Sequence, residues 1–305
     1  MNEQDILFTS FGLVVLDEIR FPDQAPLTNI LGGSGAYVNI FTKTIYSTAK
    51  TFQYTTPILV VEETSIEDTP LLKSKVYHYL ASPQDIKIRV TNLLALRHKA
   101  GILDRPLIIW EPAPLSCTPD NLKECFDAAR YVDVISPNHL ELLRLFSQTE
   151  QNDATTDKVK IIEELAMKLV DNGVGLEDKG TVVIRAGERG CLVQSRDLSA
   201  TWLPPFYRDE AGSKELSVAN IVDPTGAGNA FLGGYAVGYL RTNNALEAAC
   251  YGAVAASVAL EQIGMPERAE KGDTELWNGV SVKTRLQEYM SRVDVERSMR
   301  AKRAT

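Results

Sequence analysis

Short runs of apolar and β-branched residues alternate along the chain with longer stretches in which apolar residues recur at helical spacing. The short runs, typical of strands, are residues 7–17, 105–111, 131–136, 180–186 and 215–223. The longer, helix-period stretches are residues 119–131, 138–146, 158–173, 228–241 and 244–264. This alternation predicts an α/β fold, a three-layer αβα arrangement around a mainly parallel sheet.

A hairpin is predicted after the run at 180–186. The segments GCLVQS (190–195) and TWLPP (201–205) form a second strand and an edge segment, with Gly187 and Gly190 making the turn. The polar stretch 147–157 leaves the alternation unchanged on either side, which predicts a surface loop. We therefore expect a single domain, 1–305, with its core at about 10–265, followed by a C-terminal helix and tail over 266–305. The basic end VERSMRAKRAT is typical of a frayed, solvated tail.

Charge and cysteine content narrow the class of protein. A net charge of -8 over 305 residues argues against direct binding of nucleic acid or an anionic membrane. The four cysteines have neither C-x-x-C spacing nor a histidine pair nearby, so they are expected to be reduced and mostly buried. A secretion signal and a membrane-length apolar run are both missing from the sequence. These features predict a protein of the cytosolic or nuclear interior, and we expect the cytoplasm.

The segment DPTGAGNAF (223–231) carries the clearest chemical signal. A strand-like run meets Gly226, Ala227 and Gly228 and then an apolar helix, so unpaired backbone N–H groups and the helix dipole converge on one point. Thr225 adds a hydroxyl donor. We expect a phosphate-binding loop, with a plain strand-to-helix turn as the alternative.

Other known loops fit less well. The sequence has no G-x-x-x-x-G-K-[ST], which excludes a Walker-type NTPase. Phe231 replaces the third glycine of a dinucleotide fingerprint, and Glu247 lies in a helical stretch, so a dinucleotide-dependent oxidoreductase is only a runner-up. Ala36 stands where a nucleophile elbow needs its second glycine.

Four motifs together resemble the PfkB, or ribokinase-like, family of carbohydrate kinases. They are GGSGAY (32–37), NHLE (138–141), RAGERGCLV (185–193) and DPTGAGNAF, and the likeness runs from about residue 10 to residue 265. The resemblance implies a ribokinase-like fold, ATP and Mg²⁺ as cofactors, and transfer of the γ-phosphoryl group to a sugar or nucleoside hydroxyl.

Site residues follow from the resemblance at matching positions. The implied anion hole comprises Gly226, Ala227 and Gly228, with Asn229 in the position of the catalytic base. The implied nucleotide-binding residues are Thr225, Gly187, Gly190, Cys250, Ala253 and Ser257. Those near Mg²⁺ and the phosphates are Asn138, Glu141 and Asp223. Those on the substrate side are Asp17, Gly32, Gly33 and Tyr37.

Several of these residues have a plain structural alternative. Asn138 and Glu141 could belong to the N-cap region and solvated face of a helix. Asp17 could be a simple turn acid. The small residues of 248–259 could serve close helix packing.

The sequence departs from the family pattern at the base. The family has an aspartate at position 229 that takes the proton from the attacking hydroxyl. Asn229 keeps the shape but has no useful basicity, and loss of a general base typically costs about 10²–10⁴ in rate. Positioning and charge stabilisation could leave slow activity. Asp223, on the strand side of the loop, is a poor substitute base.

Two further departures concern the substrate side. The family usually has a sugar-binding asparagine where Tyr37 stands, and on a helix Asn39 would be turned about 200° away. Only FTKTIYSTAK (41–50) remains where the family has its lid and dimer strands. The short region at 36–54 reflects either a shortened gene model or splice form, or a reduced or missing lid, which would impair water exclusion.

The form of the loop and PLIIWEPAPLSCTPDNL (106–122) are similar to a fungal branch of the family, the maintenance-of-killer proteins, linked to stability of a double-stranded RNA virus particle. Two functions follow as hypotheses. One is a PfkB-like kinase with impaired or lost catalysis. The other is a non-catalytic scaffold that binds a protein partner.

Overall fold

The computed structural model describes residues 8–11, 15–19, 27–32, 61–148, 157–208, 217–264, 266–272 and 274–303, with backbone alone for 15–19, 27–32 and 299–303. The strands are β1 (Phe8–Ser10), β2 (Val15–Ile19), β3 (Leu27–Gly32), β4 (Val76–Ala81), β5 (Leu107–Pro112), β6 (Val134–Ile135), β7 (Thr181–Arg185), β8 (Cys191–Gln194), β9 (Thr201–Leu203), β10 (Arg268–Lys271), β11 (Thr274–Trp277) and β12 (Val280–Ser281). The helices are α1 (Pro83–Lys99), α2 (Leu122–Ala129), α3 (His139–Leu145), α4 (Lys158–Asp171), α5 (Ala227–Thr242), α6 (Ala245–Leu260) and α7 (Val282–Arg303).

The chain divides into two compact units. Unit 1 comprises residues 1–12, 59–187 and 191–202, and unit 2 comprises residues 13–58, 188–190 and 203–305. The strands of unit 1 form a seven-stranded sheet in the order β1-β4-β5-β6-β7-β8-β9. Unit 2 holds the antiparallel pair β2–β3, a three-stranded sheet of β10 to β12, and helices α5 to α7. The single-domain organisation stays a prediction.

The large sheet has the predicted mainly parallel order. The pairs from β1 through β4, β5, β6 and β7 are parallel, and β7–β8 is antiparallel. Nearly every residue of β4, β5 and β7 is buried, as expected for strands covered on both faces. The hairpin turn is confirmed, because Gly187 (φ 57°) and Gly190 (φ 84°) lie between β7 and β8 in left-handed backbone. The predicted three-layer α/β class is confirmed.

The core of unit 1 forms between this sheet and helices α1 to α4. Trp110 of β5 is fully buried and donates its indole N–H to the carbonyl of Ala81, 2.9 Å away. Helix α1 buries Pro83, Ile86, Val90, Leu93 and Arg97, a spacing of three and four residues that marks one helical face. The four cysteines are buried and free, as predicted.

Helices α5 and α6 of unit 2 approach each other through glycines. A Cβ on Gly234 would lie 2.6 Å from both the Tyr251 carbonyl oxygen and the Ala255 Cβ. A Cβ on Gly252 would lie 2.8 Å from the Phe231 carbonyl oxygen. The small residues of these helices therefore allow close packing of the backbones, the structural alternative raised for residues 248–259.

The structure corrects two expectations. Residues 218–220 of the run predicted as a strand at 215–223 form a single 3₁₀ turn, because the amides of Val222 and Asp223 both bond the Leu260 carbonyl at the end of α6. The basic end is helical through Arg303, as part of α7. Strands β10 to β12 and the pair β4–α1 were not predicted. Most of the loop at 147–157 lies outside the described residues.

Candidate functional site

The glycine loop at the start of α5 has the geometry of an anion-binding loop. Gly226 is the N-cap residue in left-handed backbone, φ 77° and ψ −13°. The first helical hydrogen bond runs from the Ala230 amide to the Gly226 carbonyl at 2.9 Å, so the amides of Gly228 and Asn229 precede it and have no acceptor in the helix. These residues are only partly buried, so their amides can face a ligand. A negative group there also gains from the helix dipole.

The approach to the loop is fixed by Asp223. Its side chain is fully buried, and Oδ1 accepts a hydrogen bond from the Thr225 amide at 2.9 Å. Thr225 itself is exposed. An aspartate that bonds an amide two residues on is a common way to close a turn. Asp223 therefore shapes the loop directly, whether or not it also lies near a metal.

Asn229 has an unusual acceptor. Its Oδ1 is buried and, within the part of the chain that the structure describes, has no hydrogen-bond partner. A buried amide oxygen left in this state costs on the order of 1–3 kcal/mol. Strained or unsatisfied polar groups of this kind are typical of sites that gain their partner with a ligand.

Unit 1 contains a mostly buried network of polar and ionisable side chains. His78, fully buried in β4, bonds Glu111 of β5 through Nε2 and Oε2 at 3.2 Å and Ser10 of β1 through Nδ1 and Oγ at 2.9 Å. Arg185 of β7 pairs with Glu111 through Nη2 and Oε1 at 2.8 Å, and the same nitrogen donates to the Ser136 carbonyl at 2.9 Å. The sheet thus brings residues distant in sequence into one network.

Asn138 and Glu141 extend this network. The Glu141 amide donates to Asn138 Oδ1 at 2.9 Å, and the Asn138 amide donates to Glu141 Oε2 at 2.7 Å, which forms a capping box at the start of α3. Arg185 Nη2 lies 3.8 Å from Glu141 Oε2. The helix-cap alternative therefore describes their local bonding, and their role near Mg²⁺ stays a prediction.

The two carboxylates differ in proton affinity. Burial acts to raise the pKa of Glu111, but Arg185 and His78 outweigh it, so its pKa lies below the ordinary value of 4.5. Burial dominates at Glu141, where Arg185 is farther away, and raises its pKa above 4.5. One guanidinium thus serves two carboxylates and holds the nearer one charged.

Acid should destabilise the protein through Glu111. Its folded pKa is lowered, so its contribution to the free energy of unfolding is complete above the unfolded pKa and is lost as the pH falls through the folded value. We expect Glu111→Gln to flatten the fall in unfolding free energy between about pH 5 and pH 3, as measured by urea titration.

Glu141→Gln is the matched control for this titration. The raised pKa of Glu141 contributes stability at low pH that is lost as the pH rises, so its removal should steepen the fall at acid pH. Glutamine at this position can still form the capping box. Equal slopes for the parent and Glu111→Gln would contradict the assignment.

Among the described residues, no group of three or more His, Cys, Asp or Glu side chains could hold a metal ion. Mg²⁺ is usually held by one or two carboxylates together with phosphate oxygens and waters, and does not need such a cage. Glu141 of unit 1 offers one carboxylate, which fits this mode of binding better than a cage built from protein side chains alone.

Four of the predicted nucleotide-side residues, Gly190, Cys250, Ala253 and Ser257, are in closely packed surroundings. A Cβ on Gly190 would overlap the Leu203 carbonyl, which explains the glycine, whereas Gly187 has open space. Cys250, Ala253 and Ser257 are 4%, 9% and 0% exposed, and burial raises the pKa of the Cys250 thiol to about 12. The Ser257 hydroxyl donates to the Val254 carbonyl at 2.7 Å. Their place in an adenine pocket stays a prediction.

On the substrate side, the backbone places two of the four predicted residues in one hairpin. Asp17 pairs with Ile30, and Gly32 pairs with Val15, in the antiparallel strands β2 and β3. Gly33, Tyr37 and the short region at 36–54 lie outside the described residues.

Sequence reasoning missed His78, Glu111 and Arg185. Glu111 and Arg185 each stand near the carboxyl end of an apolar strand, a position where open α/β sheets place functional groups. That signal was available for both residues. His78 lies in a strand that was not identified.

No described helix has both the length and the apolar character needed to cross a membrane. Comparison with known proteins finds fungal relatives and structures of the same fold. An uncharacterised protein of Schizosaccharomyces pombe is 27% identical over 94% of this chain and 93% of its own length. Protein MAK32 of Saccharomyces cerevisiae is 29% identical over 70% of this chain and 56% of its own length, which supports the fungal branch. A ribokinase of Cryptococcus neoformans, solved in complex with ADP, matches with a TM-score of 0.56 and 15% identity, over 95% of this chain and 100% of that chain.

The structural likeness supports the ribokinase-like fold, and the sequence family is decided by a direct match. The model of the pfkB family of carbohydrate kinases matches residues 51–271, a span that includes the Asn138–Glu141 cap, the β7–β8 turn and the glycine loop. The chain therefore belongs to the pfkB carbohydrate kinase family.

Proposed function

We propose that the chain binds a Mg²⁺–nucleotide complex at the glycine loop and transfers its γ-phosphoryl group to a sugar or nucleoside hydroxyl slowly, with catalysis impaired at Asn229. The observation that carries this proposal is the loop itself. Gly226 turns the chain so that the amides of Gly228 and Asn229 are free of helical bonds and accessible, at the positive end of a 16-residue helix.

Asn229 would orient the attacking hydroxyl without removing its proton. Its buried Oδ1 can accept a hydrogen bond that the described chain does not supply. An amide is not a base at neutral pH, so the proton would leave to solvent or to a weaker acceptor. Phosphoryl transfer depends chiefly on positioning and electrostatic stabilisation, which leaves room for slow turnover.

The loop residues Gly226, Ala227, Gly228 and Thr225 would hold the phosphates of the nucleotide. The resemblance to the family implies that Asn138 and Glu141 lie near Mg²⁺. Mg²⁺, when bound, neutralises charge on the nucleotide phosphates. The ADP in the Cryptococcus neoformans ribokinase supports a nucleotide of this class.

A second candidate function is a non-catalytic scaffold for a protein partner, of the maintenance-of-killer type. The likeness to protein MAK32 and the amide at position 229 favour it. Net charge of -8 supports neither direct nucleic-acid binding nor attachment to an anionic membrane, and we place either activity in the cytoplasm.

Calorimetric titration of the purified chain with Mg²⁺–ATP tests the proposal. We expect saturable binding, and we expect Gly228→Asp to abolish it because a carboxylate at the loop repels the phosphates. Gly272→Asp is the charge-matched control: Gly272 has a left-handed φ of 61°, a conformation in which aspartate is enriched, and a Cβ there has open space, so the variant should bind as the parent does. No binding by the parent would contradict the nucleotide site and favour the scaffold.

A further inference from the structure

We propose that Arg285 of the C-terminal helix α7 is a positioning residue for the glycine loop, acting through Glu261 and the end of α6. The consequence for nucleotide binding rests on the proposed function, whereas the mechanical link can be tested in the ligand-free chain. All the contacts in the argument lie within unit 2.

The first step joins α7 to the end of α6. Arg285 is 8% exposed, and its Nη2 lies 2.8 Å from Glu261 Oε1. Its Nη1 bonds the Ser257 hydroxyl at 3.2 Å, and its guanidinium stacks over the Phe206 ring at 5.3 Å. The arginine is therefore held on three sides and has little freedom to follow any other partner.

Glu261 is the C-cap residue of α6, where a negative charge is opposed by the helix dipole. Other donors share its carboxylate. Tyr207 donates its hydroxyl to Oε1, and Asn278 Nδ2 donates to Oε2 at 2.9 Å. Because the position is unfavourable for an acid, the cation of Arg285 is needed to keep the carboxylate there.

The second step joins the end of α6 to the loop. The carbonyl of Leu260, the residue before Glu261, accepts from the Val222 amide at 2.8 Å and from the Asp223 amide at 3.2 Å. Asp223 then accepts from the Thr225 amide, directly before Gly226. A displacement of Glu261 moves the peptide that carries this carbonyl, and so reaches the loop through two successive hydrogen bonds, from Leu260 to Asp223 and from Asp223 to Thr225. This link predicts an effect that can be measured directly at the amides of Val222 and Asp223.

Amide hydrogen exchange of the ligand-free protein provides that measurement. Arg285→Gln should speed exchange at Val222 and Asp223 by about tenfold relative to amides in the middle of α5, the size expected for one lost charge-assisted hydrogen bond. Mg²⁺–ATP binding should weaken by about the same factor. Glu261→Gln should give the same selective increase in exchange at Val222 and Asp223. It replaces Arg285→Gln in this test if that variant does not fold.

Arg292→Gln is the matched control. Arg292 lies two turns along the same helix and its Nη2 donates to the Phe206 carbonyl at 2.9 Å, so its loss should lower the melting temperature without selective exchange at Val222 and Asp223. The proposal is overturned if Arg285→Gln changes exchange no more selectively than Arg292→Gln does. A further outcome is that Arg285→Gln speeds exchange selectively but the parent protein binds no Mg²⁺–ATP. That outcome would support the positioning role and contradict the proposed function alone.

Discussion

Asn229→Asp should raise the turnover of Mg²⁺–ATP with a sugar or nucleoside acceptor by about 10²–10⁴-fold, the range that a restored general base contributes. Position 229 is the third residue of α5, where a carboxylate is stabilised by the helix dipole. The new carboxylate would occupy the place of an oxygen that has no partner among the described residues. Coupled assays of ADP release with a panel of pentoses, hexoses and nucleosides would measure the change.

Asn229→Ala is the control for this experiment. It removes the orienting amide without adding a base, so its turnover should not exceed that of the parent. An Asn229→Asp variant that folds and binds Mg²⁺–ATP but gains no turnover with any acceptor would contradict a kinase scaffold that lacks a single group. That outcome would favour the protein-binding scaffold.

Arg185→Ala should lower the free energy of unfolding by about 3–5 kcal/mol, the cost typical of breaking a buried ion pair by removing one partner. Arg185 is mostly buried, and its loss would leave Glu111 without its 2.8 Å partner and Glu141 without the guanidinium 3.8 Å from its Oε2. Urea unfolding at neutral pH would measure the loss, because removal of a cation affects a charged carboxylate more than a protonated one.

The matched control is Arg196→Ala in the same unit. Arg196 pairs with Asp178 at 2.8 Å, but its side chain is 54% exposed, so water screens the pair. We expect a loss of about 0–1 kcal/mol there. Similar losses for the two variants would mean that the buried network of unit 1 contributes no more to the free energy of unfolding than a surface ion pair does.

The fold could be predicted from the sequence wherever one segment carries its own pattern. Strands β5 and β7 and helices α4, α5 and α6 follow from local apolar spacing. The strand prediction at 215–223 was wrong because the amides of its last two residues bond the Leu260 carbonyl at a helix end and not a neighbouring strand. Strand propensity could not reveal that partner, which is set by tertiary structure.

The candidate site divides in the same way. The glycine loop is local, since Asp223, Thr225 and Gly226 shape it within four residues, and its geometry could be expected from the sequence. The network of His78, Glu111 and Arg185 depends on which strands become neighbours in the sheet. No spacing along the sequence indicates that these three side chains meet.

The pairing of β1 with β4 has a consequence for biosynthesis. Phe8 is in register with Val76, and the hydrogen-bonded pair Ser10–His78 is separated by 68 positions. Strand β1 therefore leaves the ribosome before β4 has been synthesised. Its backbone N–H and C=O groups lack their β4 partners until then. Pairing of β1 with β4 is therefore a non-local step that comes late in synthesis and slows folding.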